Sequence, residues 1–562
     1  MSLPAEPPWW KKTTVYQIYP RSFADGNGDG IGDLRGIIDR LDYVHALGVE
    51  TIWFSPFYHS PQADFGYDIS DHYAIADEYG TLDECRTLID EIHRRGMKVV
   101  FDMVMNHTSN QHPWFLESKS SRTSPRRDFY LWRDGRLPGG KAPPNNWKSM
   151  LGGSGWHYHP ETDQWYWASF LPFQPDLNYR NPAVKQAMLD VVRHWLAEGV
   201  DGLRLDIFNA LFKDASFADN PFSFRPVPSE DNPDGFFQRN LHTIDHPDTI
   251  AFARELRAVV DEHKNPPRFL VGEVFGSAEK LREYCGGQAA DGLHLVFLFK
   301  TLKTRFSGPA VRALIEDFEQ AFPEPLHPTY VFGNHDRPRS MHRIDDHHGK
   351  AKLLAAFQLT VRGVPFIYYG EEIGMPQREI RLEHGLDPVA ARYGYMPQWM
   401  ARFLRRFGIL LNRDECRRPM QWHGGPNAGF SHPEAKPWLP VPEETKHIHV
   451  EAQESDPTSL LRCYRRLLSV RKSSAALHSG DLTLLDLPGH PPHLVAYERA
   501  FGHGETREEA RVYLNFSDGD VPVSLGEHRA RALVSNHHDE TIQPGEQYTL
   551  APYEAVIVLD RI

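Results

Sequence analysis

Cysteine is scarce in this sequence, and its scarcity excludes two classes of protein. Only four cysteines occur among 562 residues, namely Cys85, Cys285, Cys416 and Cys463. None of them belongs to a CxxC pair, so neither a disulfide framework nor a cysteine-based zinc site is expected. We therefore expect all four thiols to be reduced.

Long apolar runs and long basic runs are also missing. No stretch of about 18 apolar residues exists, so no membrane-spanning helix is expected. Residues 1–14 lack the apolar core of a signal peptide, which predicts a cytoplasmic location. The formal net charge is −13, and no Lys/Arg run supplies the basic face typical of nucleic-acid binding. Membranes and nucleic acids are therefore not expected as partners.

Eight short apolar segments alternate with helical segments or long insertions through most of the chain. Each has the length and composition of a strand. This alternation predicts a parallel (β/α)₈ barrel, or TIM barrel, with functional side chains at the C-terminal ends of the strands. The predicted strands cover residues 15–20, 51–56, 97–105, 202–207, 269–274, 293–299, 329–336 and 365–370.

Two parts of the sequence depart from this alternation. Residues 108–178 contain no β-α repeat, which predicts a small inserted subdomain after the third strand. Its many tryptophans suit either a binding cleft or a small core. Residues 481–562 show short alternating runs, which predict a C-terminal antiparallel β-sandwich domain. The barrel is then formed by residues 1–107 and 179–480.

The fourth predicted strand ends in a charged pair. Side chains alternate along a strand, so Arg204 and Asp206 point to the same side. Both an active-site pair, in which the guanidinium keeps the carboxylate ionised and oriented, and a structural salt bridge fit this spacing. Further polar residues lie at the ends of other predicted strands: His107 just after the third, Glu273 on the fifth, and His335 and Asp336 on the seventh.

In a barrel, these side chains converge on one mouth, and packing alone does not explain such a group. Three carboxylates in one cleft repel one another and raise the pKa of one of them, which separates an acid from a base. Glycoside hydrolysis needs this division of roles. One ionised carboxylate attacks or stabilises the anomeric carbon, while a protonated acid gives its proton to the leaving oxygen.

Four motifs in this order resemble the α-amylase superfamily of glycoside hydrolases, and within it the oligo-1,6-glucosidase and α-glucosidase group. They are DMVMNH at 102–107, GLRLD at 202–206, VGE at 271–273 and FGNHD at 332–336. The segment QPDLN at 174–178 resembles the motif that marks the oligo-1,6-glucosidase-like branch. The resemblance runs from about Trp9 to the C-terminus.

The resemblance implies a role for each matching residue. Asp206 matches the nucleophile, Glu273 the general acid and base, and Asp336 the acid that grips the sugar hydroxyls beside the bond. Other matches bind the same glucosyl unit or orient the nucleophile: Asp64, Tyr67, His107, Phe170, Arg204, His335 and Arg417. Of these, Asp64 and Arg417 match the pair that fixes the non-reducing-end hydroxyl and makes such enzymes exo-acting.

Residues 25–33 alternate oxygen-bearing side chains with glycine. Asp25, Asn27 and Asp29 suit a hard cation, although Gly36 stands where an EF-hand has its bidentate glutamate. A polar, glycine-rich turn is the alternative. The resemblance implies the calcium site of the family, with a structural Ca²⁺ expected and Mg²⁺ as the alternative, held by Asp25, Asn27, Asp29, Ile31 and Asp33.

The implied activity is that of an exo-acting, retaining α-glucosidase acting on short, maltose-type α-1,4-glucosides, with glucosyl transfer as a further outcome. Linkage stays open. Ile207 is close in bulk to the valine that follows the nucleophile in α-1,6 enzymes, whereas loop 208–246 resembles that of α-1,4-active bacterial α-glucosidases. An oligo-1,6-glucosidase, a sucrose- or trehalose-directed enzyme and, remotely, an inactive transporter-associated relative are the alternatives. The oligomeric state is not visible in the sequence.

Overall fold

The computed structural model describes residues 7–406, 409–487, 489, 491–525, 532–537 and 547–561. Residues 1 and 562, the outer limits of the predicted domains, lie outside this part. The strands within it are β1 Val15–Ile18, β2 Thr51–Phe54, β3 Tyr58–His59, β4 Asp71–Ile75, β5 Lys98–Val104, β6 Trp132–Arg133, β7 Trp156–His159, β8 Gln164–Trp167, β9 Gly202–Asp206, β10 Phe269–Gly272, β11 Leu295–Val296, β12 Thr329–Val331, β13 Val364–Tyr368, β14 Asp481–Leu484, β15 Leu494–Phe501, β16 Glu508–Asn515, β17 Val521–Ser524, β18 Ala532–Ser535, β19 Gln547–Leu550 and β20 Ala555–Arg561.

The α-helices of the described residues are short or of moderate length. They are α1 Trp9–Lys12, α2 Pro20–Phe23, α3 Leu34–Asp39, α4 Leu41–Leu47, α5 Leu82–Arg94, α6 Pro113–Ser120, α7 Pro182–Ala197, α8 Pro247–Val260, α9 Ala278–Tyr284, α10 Gly308–Ala321, α11 Ser340–Arg343, α12 His348–Thr360, α13 Pro388–Arg392, α14 Gln398–Arg405, α15 Val450–Ser455, α16 Leu460–Ser473 and α17 Ala475–Ser479. None of these helices has the length and hydropathy needed to cross a membrane.

The predicted barrel strands form one eight-stranded sheet. Its strand order is β11-β10-β9-β5-β2-β1-β13-β12. Strand β9 runs parallel to β5, with Arg204 opposite Asp102, and parallel to β10, with Leu205 opposite Gly272. Helices or long insertions separate these strands along the chain, as in a (β/α)₈ barrel. The predicted fold class is therefore confirmed.

The seventh strand is shorter than the alternation predicted. It ends at Val331, and the chain turns beyond it, where Asn334 forms a bridge with Arg337. The side-chain oxygen of Asn334 accepts the amide of Asp336 at 2.9 Å, as in an Asx turn. His335 and Asp336 therefore lie in a turn after the strand rather than on it.

The helices begin and end where the sequence provides caps. At the start of α5, the Glu84 amide donates to Oγ1 of Thr81 at 3.2 Å, and the Thr81 amide donates to Oε2 of Glu84 at 2.8 Å. This is the capping box that the Thr-x-x-Glu spacing predicts. At the start of α7, Oδ1 of Asn181 accepts the amide of Ala183 at 2.9 Å, and Pro182 occupies the first helical position.

The described residues fall into two compact units. The first unit extends to Ile52 and includes Arg94–Met97 and the chain from Leu298 onward, whereas the second covers Trp53–His93 and Lys98–Phe297. Strands β1, β12 and β13 belong to the first unit, and β5, β9, β10 and β11 to the second.

The inserted segment of the second unit contains a three-stranded sheet in the order β6-β8-β7. Trp147, Trp156 and Trp167 form a buried cluster with Leu131. The Trp147 and Trp167 rings meet edge to face, with centroids 5.3 Å apart. These three tryptophans therefore fill a small core, which is one of the two roles that the sequence left open.

The C-terminal part of the first unit contains two antiparallel sheets. One has the order β14-β15-β16-β20-β18, and the other pairs β17 with β19. Side chains from both sheets share a core, including Leu494 and Tyr513 from the larger sheet and Val521, Val523 and Leu550 from the smaller one. Two sheets that pack face to face form a sandwich, as predicted.

Candidate active site

Asp206 and Glu273 lie at the C-terminal ends of neighbouring parallel strands in the second unit. The amide of Glu273 donates to the Leu205 carbonyl at 2.8 Å, and the Phe208 amide donates to the Glu273 carbonyl at 2.9 Å. Asp206 and Glu273 are 9% and 8% exposed. Backbone hydrogen bonds therefore fix the main-chain positions from which the Asp206 and Glu273 side chains extend. Both residues retain slight access to solvent.

The Arg204 guanidinium joins both carboxylates and a third one. Its Nη1 donates to Oδ1 of Asp206 at 2.7 Å and to Oδ1 of Asp102 at 2.9 Å, and its Nη2 donates to Oε2 of Glu273 at 2.6 Å. A guanidinium is planar, so its fork holds Asp206 and Glu273 side by side. The pair predicted on the fourth strand is therefore part of a larger buried acid cluster.

This cluster has more negative than positive groups. Burial would lower the pKa of Arg204, but Asp102, Glu273 and Asp206 raise it well above its usual value, so the guanidinium stays charged. Burial raises the pKa of Asp102 to about 6, while Arg204 lowers it and Glu273 raises it. Because three acids share one cation, a protonated acid can coexist with an ionised base, as glycosidic cleavage requires.

Ile207, directly after Asp206, has a left-handed backbone conformation. Its φ is 37° and its ψ is 49°, a region that β-branched residues avoid. Its amide lies 3.4 Å from Oε2 of Glu273. Strained backbone persists where the surrounding structure enforces it, often at functional sites.

The predicted sugar-binding residues His107, Tyr67 and Phe170 lie together in the second unit. The Tyr67 carbonyl can only accept, so Nε2 of His107 donates to it at 3.0 Å. Burial lowers the pKa of His107, and the neutral ring then accepts at Nδ1 from the Asn106 side-chain amide at 3.3 Å. The Phe170 and His107 ring centroids are 5.7 Å apart, and the Tyr67 hydroxyl donates to Asp102 at 3.1 Å.

Gln174 orients Asp64, a contact that the sequence did not predict. Its side-chain amide donates to Oδ2 of Asp64 at 3.0 Å and contacts the Tyr67 carbonyl at 3.4 Å. Gln174 is the first residue of the QPDLN motif, so that motif was the sequence signal that could have pointed to this contact. Asp68 supports the backbone at Asp64, because its carboxylate accepts the Asp64 amide at 2.9 Å.

In the first unit, three side chains surround Asp336. Its Oδ1 accepts from Nη2 of Arg417 at 2.9 Å and from Nη1 of Arg413 at 3.3 Å, and its Oδ2 lies 3.1 Å from Nε2 of His335. Arg417 and His335 are fully buried, whereas 29% of the Asp336 side chain is exposed. Buried groups therefore hold an accessible carboxylate in place.

Arg413 is a further residue that the sequence did not single out. Its Nη2 donates to Oδ1 of the fully buried Asp387 at 2.7 Å. Burial raises the pKa of Asp387, but Arg413, with Arg417 adding to its effect, makes the net shift downward. His335 has its own support, since its Nδ1 lies 2.8 Å from Nε2 of Gln17.

The candidate cation loop also belongs to the first unit. Oδ1 and Oδ2 of Asp25 accept the amides of Gly28 and Gly30 at 2.6 and 2.7 Å, and Oδ1 of Asp29 accepts the amide of Ile31 at 2.8 Å. Asp33 accepts three amides, including that of Gly36 at 2.6 Å, and caps α3. Among the described residues, no three His, Cys, Asp or Glu side chains form a metal-binding group.

Comparison with known proteins gives one consistent result. Residues 17–480 match the family model described as "Alpha amylase, catalytic domain". The chain is 39% identical to the "Probable alpha-glucosidase" of Rhizobium meliloti (strain 1021), over 93% of this chain and 92% of that protein. It is 35% identical to the "Oligo-1,6-glucosidase" of Parageobacillus thermoglucosidasius, over 99% of each. The solved structure of "alpha-glucosyl transfer enzyme, XgtA" matches with a TM-score of 0.86 and 35% identity, over 99% of this chain and 100% of that one.

The fold, the acid cluster and these matches define an enzyme of the glycoside hydrolase class. The chain belongs to the α-amylase family, as the sequence motifs predicted.

Proposed function

We propose that this protein is an exo-acting, retaining α-glucosidase that releases the non-reducing-end glucosyl unit of short α-glucosides, with maltose-type α-1,4 linkages preferred. The observation that carries the proposal is the Arg204 fork, which holds Asp206 and Glu273 as neighbours. Retaining enzymes keep the two carboxyl groups roughly 5 to 5.5 Å apart, whereas inverting enzymes need a wider gap for water. Two carboxylates bound to one guanidinium suit the closer spacing.

The proposed reaction has two displacements. Asp206, which Arg204 orients, attacks the anomeric carbon while Glu273 gives its proton to the leaving glycosidic oxygen. Glu273 then removes a proton from water, which attacks the anomeric carbon and releases Asp206. Glucose leaves with α configuration. Asp336, oriented by Arg417 and His335, binds the hydroxyls next to the reacting carbon.

Asp64 and Arg417 are the residues proposed to make the enzyme exo-acting, because they would bind the terminal hydroxyl of the substrate. The orientation of each residue within its own unit supports this role. Gln174 holds Asp64, and Nε of Arg417 donates to the His335 carbonyl at 2.8 Å. Both side chains are nearly or fully buried, so their polar atoms are presented in defined directions.

Two measurements test the mechanism. Asp206→Asn removes the nucleophile and should abolish turnover of p-nitrophenyl α-glucoside, while the exposed-residue control Asp190→Asn should leave it unchanged. Early-time NMR of the wild-type reaction should show α-glucose first. Initial release of β-glucose, or full activity of Asp206→Asn, would refute the assignment.

Linkage preference needs its own test, because the similarity includes an oligo-1,6-glucosidase and a glucosyl transfer enzyme. Initial rates should be compared on equal concentrations of maltose, isomaltose, sucrose and trehalose, with transfer products quantified alongside glucose. Fastest release from maltose supports the proposal. Faster release from isomaltose would replace it with the oligo-1,6-glucosidase alternative, and dominant transfer would replace hydrolysis.

The proposal includes a structural divalent cation, Ca²⁺ before Mg²⁺, at the loop of residues 25–33. Asp25, Asn27 and Asp29 fit, because their side-chain oxygens lie on one loop and carboxylates have spare lone pairs. The Ile31 carbonyl would complete the set. Asp25 and Asp33 each accept amides on both carboxylate oxygens, so a cation there would use their remaining lone pairs, and Asp33 also caps α3. A bound cation would stiffen the loop and take no part in catalysis.

A further inference from the structure

A buried ion pair lies next to the sugar-binding residues of the second unit and has no role in the proposed mechanism. It consists of Lys213 and Asp176, whose side chains are 1% and 0% exposed. Nζ of Lys213 contacts Oδ2 of Asp176 directly, and it donates to Oδ1 of Asn106 at 2.9 Å and to the Ala210 carbonyl. Asp176 also accepts the Ser169 amide at 2.7 Å.

This pair connects three parts of the chain that carry predicted site residues. Asn106 follows β5 and precedes His107. Asp176 belongs to the QPDLN motif of the inserted segment, and its backbone forms a bridge with His107. Lys213 lies in the loop after Asp206, where the Ala210 carbonyl accepts from it. The ion pair is therefore placed to hold these three segments in one arrangement.

The hydrogen bonds around Asn106 have a defined direction. A lysine ammonium can only donate, so Asn106 must present its oxygen to Lys213 and its NH₂ to other groups. That NH₂ donates to Oδ2 of Asp176 at 3.1 Å and to Nδ1 of His107 at 3.3 Å. With Nδ1 accepting, the proton of the neutral imidazole resides on Nε2, from which it binds the Tyr67 carbonyl at 3.0 Å.

We propose that Lys213 and Asp176 are positioning residues that fix the Asn106 amide, and through it the His107 tautomer and the placement of Tyr67. This gives the aspartate of the QPDLN motif a physical role. The inference uses the proposed function only as a readout, since activity toward an α-glucoside reports the positioning.

The test compares two variants with different charge balance. Lys213→Met leaves Asp176 buried without its cation, which should lower the melting temperature strongly. The double variant Lys213→Met/Asp176→Asn removes both charges and should recover most of that loss. If the pair positions His107, the double variant should still lose about 10- to 100-fold in kcat/KM, the usual range for supporting groups behind a site.

The control is Lys185→Met, which removes an exposed ion pair with Glu255 in the same unit and should change neither quantity. A second readout is the ring-nitrogen NMR spectrum of protein labelled with ¹⁵N-histidine, assigned by difference from His107→Gln. The His107 Nε2–H signal should be present in the wild type and lost or shifted in the double variant.

Wild-type kcat/KM and an unchanged His107 signal in the double variant would overturn the inference. Failure of the double variant to fold would also overturn it, by making the pair purely structural. A wild-type protein that hydrolyses no α-glucoside would refute the proposed function instead, and the NMR comparison would then decide the inference alone.

Discussion

Arg417 donates from Nη2 to Oδ1 of Asp336 at 2.9 Å, and the arginine is fully buried while the aspartate is accessible. Its Nε donates to the His335 carbonyl at 2.8 Å, and its guanidinium carbon lies 5.3 Å from the centre of the Tyr19 ring. The arginine is therefore held on several sides, and the carboxylate takes its orientation from a buried group with other fixed contacts.

The first prediction concerns this pair. Arg417→Lys should lower kcat/KM by roughly 100-fold, because lysine keeps the charge but cannot reach Asp336 and the His335 carbonyl together through a rigid fork. Steady-state kinetics on the preferred glucoside would measure this. Arg402→Lys alters an exposed bidentate pair with Glu379 and should have no such effect. Unchanged kinetics in Arg417→Lys would contradict the role given to the pair.

The second prediction concerns the cation of the acid cluster. Arg204→Met leaves Asp102, Asp206 and Glu273 without their shared partner, which should abolish activity and cost about 3–5 kcal/mol of stability. The cost should be larger at pH 8 than at pH 5, because burial raises the pKa of Asp102 to about 6 even with Arg204 lowering it, and loss of Arg204 raises that pKa further, so ionisation of the cluster at pH 8 is opposed more strongly in the variant than in the wild type. Thermal unfolding at both pH values measures this.

The matched control is Arg193→Met, which removes an exposed arginine paired with Asp190 in the same unit. It should destabilise little, and equally at both pH values. If Arg204→Met showed the same small and pH-independent effect as this control, the acid cluster would not depend on its arginine.

Strand alternation was sufficient to place Arg204 and Asp206 on one side of a strand, because the two-residue period is a local property. It could not supply Asp102 as their partner, since that contact joins residues 102 positions apart and arises only when β5 and β9 pair. The pairs Arg413–Asp387 and Lys213–Asp176 depend in the same way on folding across long separations. Local patterns contain no information about such partners.

Asp33 shows a second limit of sequence patterns. An aspartate before a helix and an aspartate in a cation loop present the same oxygens, so spacing alone does not distinguish an N-cap from a ligand. Here the carboxylate accepts the amides of Gly26, Asn27 and Gly36. The predicted length of the seventh strand was wrong for a related reason. The side chain of Asn334 competes for backbone amides that a strand would otherwise use.

The third prediction is a pH dependence of stability. Burial raises the pKa of Glu371 from its ordinary 4.5 to about 7, with the Tyr368 amide opposing it. A carboxyl whose folded-state pKa is raised binds its proton more tightly in the folded state, so its contribution to stability is lost as pH rises from about 4.5 to about 7. Glu371→Gln removes that loss and should gain on the order of 2–3 kcal/mol relative to wild type by pH 8.

Melting temperatures of wild type and Glu371→Gln between pH 5 and pH 8 check this prediction. The two proteins should be similar at pH 5 and diverge as pH rises, with the variant more stable. Glu443→Gln, at an exposed position, is the control and should track the wild type throughout. A constant difference across the range would show that Glu371 does not titrate there.

The last prediction concerns the cation loop. Asp25 connects this loop to residues 430 and 431, because Ser431 donates to its Oδ2 at 2.6 Å and its amide donates to the Phe430 carbonyl at 2.8 Å. A cation on Asp25, Asn27 and Asp29 would bind only the folded loop, so Ca²⁺ at 100 times its Kd should add about 2.7 kcal/mol of stability. Chelation should therefore lower the melting temperature, and added Ca²⁺ should restore it, more effectively than Mg²⁺.

Asp29→Ala removes an exposed ligand and should abolish the Ca²⁺ response, whereas Asp39→Ala, an exposed residue paired with Arg35, should retain it. If protein shown by elemental analysis to be metal-free melted at the same temperature with and without Ca²⁺, the loop would be a turn held by its own amides, because those bonds already use an oxygen of each side chain.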